Sequence, residues 1–314
     1  MSKLTSDFDF LNGHFDVAHR QLRKPLSGSD EWDEYAGTCS ARTHFDGAIS
    51  LDEMQFPTKG SYGLSLRLFD PQTEEWSIYW VNSTSYEVFP PVRGKWADGS
   101  CWLVGEDTYD GRPILASYSW SDITATSAHW EQSFSEDGGE TWEVNWTMDF
   151  TRRETAPPAP GAAKVTGDFD FLVGSWDMHN RRRRPALGDP AEWYELESKM
   201  QVWSYFDGAI SFDEGWFPSL NFQGATFRVF NPATGQWSIH WVNSQRGQLE
   251  TPVVGSFTDG IGIFEGPDVW EGQEIDVRFR WTPGDQQASW QQSFSTDGGE
   301  TWVPNWEMTH TRTS

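Results

Sequence analysis

Carboxylate and guanidinium side chains recur at matching places in two halves of the chain, and together they could move a proton on a bound molecule. Glu53 follows Asp52 and precedes Arg67 in the first half, and Glu214 and Arg228 occupy the same places in the second. A carboxylate can act as a general acid or base, and arginine can stabilise negative charge that develops on an oxygen. The alternative is a structural ion pair between strands, because a lone buried charge is costly.

Histidines differ between the halves, which indicates either surface drift or specialisation of one site. His44 stands where the second half has Tyr205, just before a shared Phe-Asp-Gly turn. Both side chains can transfer a proton, so we expect them to assist the two glutamates. His240 stands where the first half has Tyr79.

Aromatic residues are abundant, with 20 Trp and 21 Phe in 314 residues. This excludes a disordered chain and predicts apolar cores, in which some tryptophans could line a pocket. Strand alternation places neighbouring residues on opposite faces, so His240 and Trp241 cannot both face one pocket. The candidate ligand contacts are aromatic or histidine residues in predicted strands: Trp80, Trp241, Tyr79, His240, Trp130 and Trp290.

The two halves are copies of one domain. Residues 7–11 (Asp-Phe-Asp-Phe-Leu) recur at 168–172, and the Asp-Gly-Gly-Glu-Thr-Trp motif at 137–142 recurs at 297–302. A repeat this long is a whole duplicated domain rather than a solenoid or propeller unit. We therefore predict one domain at 1–154, a Pro/Ala-rich linker at 155–164 and a second domain at 165–314. The two domains are expected to pair as an intrachain pseudo-dimer that could oligomerise further.

Short alternating segments predict an all-β protein. The segments at 65–69, 76–82, 130–134 and 146–150 alternate or are rich in aromatic and β-branched residues, and Asp-Gly turns separate many of the segments. Many antiparallel strands in each copy favour a closed barrel, because closure removes exposed edges.

The net charge of -24 repels phosphate backbones and anionic lipid, so we expect no nucleic-acid and no membrane partner. The chain shows no apolar signal segment and no span of about 20 apolar residues, so we expect a cytoplasmic protein. Cys39 and Cys101 have no cysteine counterparts in the second copy, which favours free thiols over a disulfide.

Cofactor motifs are missing from the sequence: it contains no phosphate loop, zinc-binding pattern or nucleophile elbow. We therefore expect no cofactor and no metal. The alternative is haem bound through one histidine, for which His310 is the candidate. The Asp-Gly-Gly-Glu-Thr-Trp motif resembles the Asp-box of sialidases, and we interpret it as a structural hairpin.

Gly174-Ser175-Trp176 matches the Gly-x-Trp that opens the first strand of lipocalins, and the first copy departs from it at Phe15. Each copy also carries Trp-Ser-Ile-x-Trp, Pro-Val-x-Gly and Asp-Gly-Gly-x-Thr-Trp-x-x-Asn-Trp. With these motifs each copy resembles a family of bacterial domains of unknown function related to the calycins. The resemblance implies two tandem antiparallel lipocalin-like barrels with central cavities, and no single activity.

The residues and the resemblance together suggest a cofactor-free isomerase or cyclase acting on a hydrophobic, polyketide-like or aromatic molecule. Glu53 or Glu214, with His44 or Tyr205, would move protons, and Arg67 or Arg228 would steady an oxyanion. A lipocalin-like carrier without catalysis is the alternative, and a purely structural pair of barrels is the third hypothesis.

Overall fold

The computed structural model describes residues 4–158, 164–244 and 246–313. The chain divides into two compact units, each of which contains one closed, antiparallel, ten-stranded barrel. The all-β prediction of two tandem barrels is confirmed. Residues 159–163 of the predicted linker lie outside the described residues.

Barrel 1 contains two short 3-10 helices, at Asp9–Leu11 and Phe45–Gly47, and ten strands. The strands are β1 Gly13–Leu22, β2 Trp32–His44, β3 Ile49–Phe56, β4 Ser61–Asp70, β5 Glu75–Asn82, β6 Val92–Ala97, β7 Ser100–Tyr109, β8 Arg112–Ser121, β9 Ser127–Ser135 and β10 Glu143–Arg153.

Barrel 2 repeats this order, with 3-10 helices at Asp170–Leu172, Phe206–Gly208 and Pro218–Leu220. Its strands are β11 Gly174–Arg184, β12 Glu192–Tyr205, β13 Ile210–Phe217, β14 Phe222–Asn231, β15 Gln236–Asn243, β16 Val253–Thr258, β17 Ile261–Trp270, β18 Gln273–Thr282, β19 Gln287–Ser295 and β20 Val303–Arg312.

Each barrel is an up-and-down meander in which every strand pairs with its sequence neighbours and the first strand closes against the last. Closure is direct: Phe15 of β1 lies opposite Arg152 of β10. Because alternate side chains point to opposite faces of a strand, each strand supplies one set of residues to the lumen and one to the outside. That alternation decides which candidate residues can meet.

The segment before the first strand closes one end of each barrel, and we call it the plug: residues 7–11 in barrel 1 and residues 168–172 in barrel 2. In barrel 1, the Trp76 indole donates a hydrogen bond to Asp7 Oδ2 at 2.9 Å, and the Phe8 ring meets the Trp76 ring edge-on at 4.6 Å. Trp237 and Asp168 repeat the bond in barrel 2 at 3.0 Å. The repeated Asp-Phe-Asp-Phe-Leu motif therefore builds this closed end, which explains its presence in both copies.

Arginines near the ends of β10 and β20 hold the plugs in place by hydrogen bonds to backbone carbonyl oxygens. Arg152 donates to the carbonyl oxygens of Phe10 and Asn12, each at 2.6 Å, and its guanidinium lies 4.6 Å from the Phe15 ring. Arg312 lies 4.2 Å from the Trp176 ring in the same way. Phe15 and Trp176 thus pack against equivalent arginines. The departure from Gly-x-Trp in the first copy therefore leaves barrel closure intact.

The Asp-Gly-Gly-Glu-Thr-Trp motif forms the hairpin between β9 and β10, in line with a structural interpretation. Asp137 accepts hydrogen bonds from the Thr141 amide at 3.0 Å and from the Thr141 hydroxyl at 2.6 Å. Gly138 and Gly139 have φ values of 75° and 94°, a conformation that favours glycine. The same bonds form between Asp297 and Thr301 in barrel 2.

Cys39 and Cys101 are buried free thiols, as the sequence favours, and burial raises the pKa of both. Among the described residues, no helix is long and apolar enough to cross a membrane.

Candidate functional site

The centre of barrel 1 holds a buried ion pair between Arg67 of β4 and Asp52 of β3. Arg67 Nη2 donates to Asp52 Oδ2, and the two residues are 2% and 1% exposed. The Ser65 amide donates to Asp52 Oδ1 at 3.2 Å, so both carboxylate oxygens are bonded. The pair therefore forms a fixed charged site inside a mainly apolar lumen.

Barrel 2 repeats the pair with Arg228 and Asp213, whose Nη2 and Oδ2 atoms are 2.5 Å apart. The Thr226 amide donates to Asp213 Oδ1 at 3.1 Å. Burial raises the pKa of Asp213, and the charge of Arg228 opposes that rise. Recurrence in both copies shows that the pair belongs to the shared design of the barrels.

Arg67 has unused hydrogen-bonding capacity. Its Nε and Nη1 groups are buried and make no hydrogen bond within the described part of the chain, and Arg228 Nε is in the same state. The Arg67 guanidinium also lies 5.1 Å from the Phe8 ring and 5.8 Å from the Trp120 ring. Apolar rings cannot accept these N–H groups as an oxygen would, so the lumen contains donors that await an acceptor.

Arg67 also lines a cavity in barrel 1 that has a volume of about 10 Å³. The cavity is narrow, and its widest part admits about one water molecule. The lining is mainly aromatic, with a few polar and flexible side chains: Met54, Ser65, Arg67, Ile78, Trp80, Tyr118, Trp120, Trp130, Gln132, Trp146 and Met148.

Strand alternation divides the six predicted ligand contacts into tryptophans that face the lumen and two residues that do not. Trp80 and Trp130 line the cavity, and Trp241 and Trp290 pack into the core of barrel 2 in the same positions. Tyr79 and His240 stand one residue before Trp80 and Trp241 and therefore point outward. The His240 Nδ1 group lies 3.2 Å from the Glu250 carbonyl oxygen, and burial lowers the pKa of His240.

The predicted acid and base residues do not reach the lumen. Asp52 and Met54 point inward, so Glu53 between them points outward, and Glu214 does likewise beside Asp213. We expected the glutamates to face the pocket, but the residue before each of them does so, because a single step along a strand changes the face. The inward carboxylates are Asp52 and Asp213.

His44 and Tyr205 also lie away from the lumen. Cys39 of β2 belongs to the barrel core, and His44 is five residues further along the same strand, which places it on the outward face. His44 lies opposite Ile49, and Tyr205 lies opposite Ile210, beside the Phe-Asp-Gly turns. In each barrel the structure therefore places the arginine of the predicted site, Arg67 or Arg228, on the same face as the tryptophans. The predicted proton-transfer residues lie on the other face of their strands.

A buried residue of β1 that the sequence analysis did not single out contacts the lumen wall. The Trp146 indole donates to His19 Nδ1 at 3.3 Å, and Trp306 donates to Asn180 Oδ1 at 3.0 Å in barrel 2. Burial lowers the pKa of His19 to about 3. The signal was available, since His19 continues the inward alternation of Phe15 along β1.

His310, the haem candidate, lies in barrel 2 where barrel 1 has Phe150. It is 1% exposed, its ring lies 5.1 Å from the Trp281 ring, and burial lowers its pKa to about 3. Its Nδ1 atom makes no hydrogen bond to any described residue. Within the described ranges, no group of three His, Cys, Asp or Glu side chains is arranged to hold a metal ion.

Comparison with solved structures gives distant likenesses. No protein-family model and no curated protein matches the chain. A DUF3598-family protein of unknown function from Nostoc punctiforme is 9% identical, with both chains covered in full and a TM-score of 0.26. Transferrin binding protein B of Neisseria meningitidis is 7% identical over 96% of this chain and 76% of that chain, with a TM-score of 0.23. TM-scores this low carry no argument about function.

Proposed function

We propose that each barrel binds a small apolar, mainly aromatic molecule that carries an oxygen acceptor. The observation that carries this proposal is Arg67, a buried arginine with two unpartnered donor groups on a tryptophan-lined cavity. The ligand oxygen would accept from Arg67 in barrel 1 and from Arg228 in barrel 2. The aromatic walls would contact the rest of the molecule.

The energetics favour such a ligand. Leaving a buried donor unsatisfied costs about 1–3 kcal/mol, and Arg67 carries two such groups. An ion pair with Asp52 alone explains the charge of Arg67 but not its free Nε and Nη1 groups. A carbonyl oxygen in the cavity would satisfy one or both of them.

The cavity must widen on binding, and its lining allows this. Met54 and Met148 are flexible side chains that can change rotamer to admit a ligand. The second copy has Gly215 in place of Met54 and Phe279 in place of Tyr118. The two lumens therefore differ in shape, and the proposal includes different ligand preferences for the two barrels.

We assign the barrels to the lipocalin-like, calycin-like type on their closed ends. Trp176 follows the shared glycine by two residues at the start of β11, and Arg312 of the last strand packs on its ring and bonds to the plug. This arrangement supports the resemblance that the sequence motifs carry. A type of barrel that carries small molecules agrees with the binding proposal, which would make the protein a carrier.

The test compares 2-acetylnaphthalene with 2-ethylnaphthalene, which share shape and differ by one oxygen. Binding is followed by the change in tryptophan fluorescence of the full chain. The ketone is expected to bind about tenfold more tightly, in keeping with about 1.4 kcal/mol for one hydrogen bond. Equal affinity for the two probes would exclude an acceptor site at the arginines.

A conservative variant locates the effect. Arg67→Lys together with Arg228→Lys keeps both charges opposite Asp52 and Asp213 but removes the Nε and Nη1 donors. This variant should lose the ketone preference and retain 2-ethylnaphthalene binding. Arg20→Lys, at an exposed position of β1, is the matched control and should behave like the unaltered protein.

Catalysis is the second candidate, and Asp213 is the observation that favours it. Its carboxyl lies in the lumen beside Arg228 with a raised pKa, as a general acid or base requires. In a cofactor-free isomerase or cyclase, Asp213 would take the role that Glu214 cannot reach. A substrate found by mass spectrometry of a hydrophobic extract should be converted by the protein, and Asp213→Asn should abolish conversion while Glu214→Gln preserves it.

A further inference from the structure

Arg182 stands at the mouth of barrel 2, the end of the barrel opposite the Asp170–Leu172 plug. It lies near the end of β11 on the inward face, in line with Trp176 and Asn180. Its guanidinium lies 4.2 Å from the Trp306 ring. Trp306 in turn meets Trp290 at 5.4 Å inside the barrel. Arg182 therefore caps a column of rings that leads from solvent into the lumen.

The Arg182 charge has no partner. It is half-buried, and within the described part of the chain it makes no hydrogen bond and no ion pair, whereas its neighbour Arg181 bonds to Glu307 at 2.8 Å. Burial lowers the pKa of Arg182, the neighbouring Tyr194 opposes that fall, and the nearby charge of Arg184 adds to it. A desolvated, unpaired cation is costly, so an anion at this place would gain what the protein itself does not supply.

Barrel 1 lacks this cation. Gln21 occupies the position of Arg182, and its Oε1 atom accepts hydrogen bonds from Tyr35 at 3.0 Å and Lys59 at 2.8 Å. Lys59 is exposed and lies over the Tyr35 ring at 3.8 Å. The positive charge at this mouth is therefore solvated and already bonded, unlike that of Arg182.

We propose that barrel 2 selects an apolar acid, whose carboxylate binds Arg182 at the mouth while its ring system lies against Trp306 and the lumen. This inference rests on the proposed lumen-binding function and names its ligand class. A planar guanidinium can bind a carboxylate through two parallel hydrogen bonds. The net charge of -24 repels anions from the molecule as a whole, but salt screens that repulsion beyond about 8 Å, so one local cation decides the preference.

The experiment titrates the full chain with 2-naphthoate and with 2-acetylnaphthalene by calorimetry. The two probes share a ring and a carbonyl oxygen and differ in charge. The expected result is one tight naphthoate site per chain. Arg182→Gln, which installs the barrel 1 residue, should weaken that site at least tenfold and leave ketone binding unchanged.

Two further variants complete the test. Arg181→Gln removes an adjacent, exposed and ion-paired arginine and should keep the naphthoate site. Gln21→Arg should create a second tight naphthoate site in barrel 1. If Arg182→Gln binds naphthoate as tightly as Arg181→Gln does, or if Gln21→Arg gains no site, the assignment to Arg182 is overturned. Ketone binding without a tight naphthoate site overturns this inference alone, whereas binding of neither probe overturns the proposed function with it.

Discussion

One tryptophan indole in each barrel needs a buried acceptor, and the two copies supply it differently. Trp146 donates to His19, and Trp306 donates to the smaller Asn180. A nearby residue on the adjacent strand differs between the copies together with this acceptor. A Cβ atom on Gly37 would come within 2.6 Å of His19 Nε2, whereas barrel 2 has Ser198, which accepts from Asn180 at 2.7 Å. A large residue beside glycine in barrel 1 therefore corresponds to a smaller residue beside serine in barrel 2.

We expect the effects of substitutions at His19 and Gly37 on stability to be strongly coupled. Gly37→Ser alone should destabilise the protein because the new Cβ atom would lie 2.6 Å from His19 Nε2 and 2.8 Å from the Gln55 carbonyl oxygen. The same change combined with His19→Asn should cost less, since it removes the first of these collisions and rebuilds the barrel 2 pair. Chemical denaturation of the single and double variants should show a coupling free energy of about 0.5–3 kcal/mol. Additive effects would show that His19 and Gly37 are not matched.

A second prediction concerns His310, whose pKa is lowered from 6.5 to about 3 in the folded state. Below pH 6.5 the unfolded chain binds a proton there that the folded chain does not, so stability falls as pH falls from about 6.5 to about 3. The loss from this residue at pH 5 is about 2 kcal/mol. His310→Phe, which installs the residue of barrel 1, should remove it.

The measurement is the free energy of unfolding of both proteins at pH 8 and pH 5. The loss between the two pH values should be about 2 kcal/mol smaller in His310→Phe than in the unaltered protein. Identical losses would mean that His310 titrates normally in the fold.

At the scale of elements, the hairpin between β19 and β20 depends on one carboxylate. Hydrogen bonds from Thr301 lower the pKa of Asp297 from 3.8 to about 2. The stabilisation is complete above about pH 4 and is lost as pH falls through about 2, because the folded state resists protonation. An NMR titration should give a midpoint near 2 for Asp297, with the Thr301 amide shifting in parallel. A midpoint near 4 would contradict the bonding seen here.

The strands also show what the sequence could and could not predict. Alternation of aromatic and polar residues was enough to predict the barrels, and it placed His240 and Trp241 on opposite faces. It did not predict whether Asp52 or Glu53 faces inward, because both are carboxylates and a shift of one residue exchanges them. The contact of Arg182 with Trp306 joins residues far apart in the chain, so only the closed barrel reveals it.

At the scale of the whole molecule, the pairing of the two copies stays a prediction. Each barrel by itself carries apolar outward side chains on one strand, such as Leu64, Leu66 and Leu68 on β4. Separately produced halves, 1–154 and 165–314, are therefore expected to associate with each other in sedimentation experiments. Two stable monomers without mutual affinity would exclude the pseudo-dimer.

A crystal structure of the complex would show whether the lumen arginines bind the oxygen of an apolar ligand. Crystals soaked with 6-bromo-2-acetylnaphthalene would locate the ring by the anomalous signal of bromine. We expect a ring between Trp80 and Trp130, with the ketone oxygen within hydrogen-bonding distance of Arg67 Nε or Nη1. A ligand bound only outside the lumen would show that the arginines do not bind it.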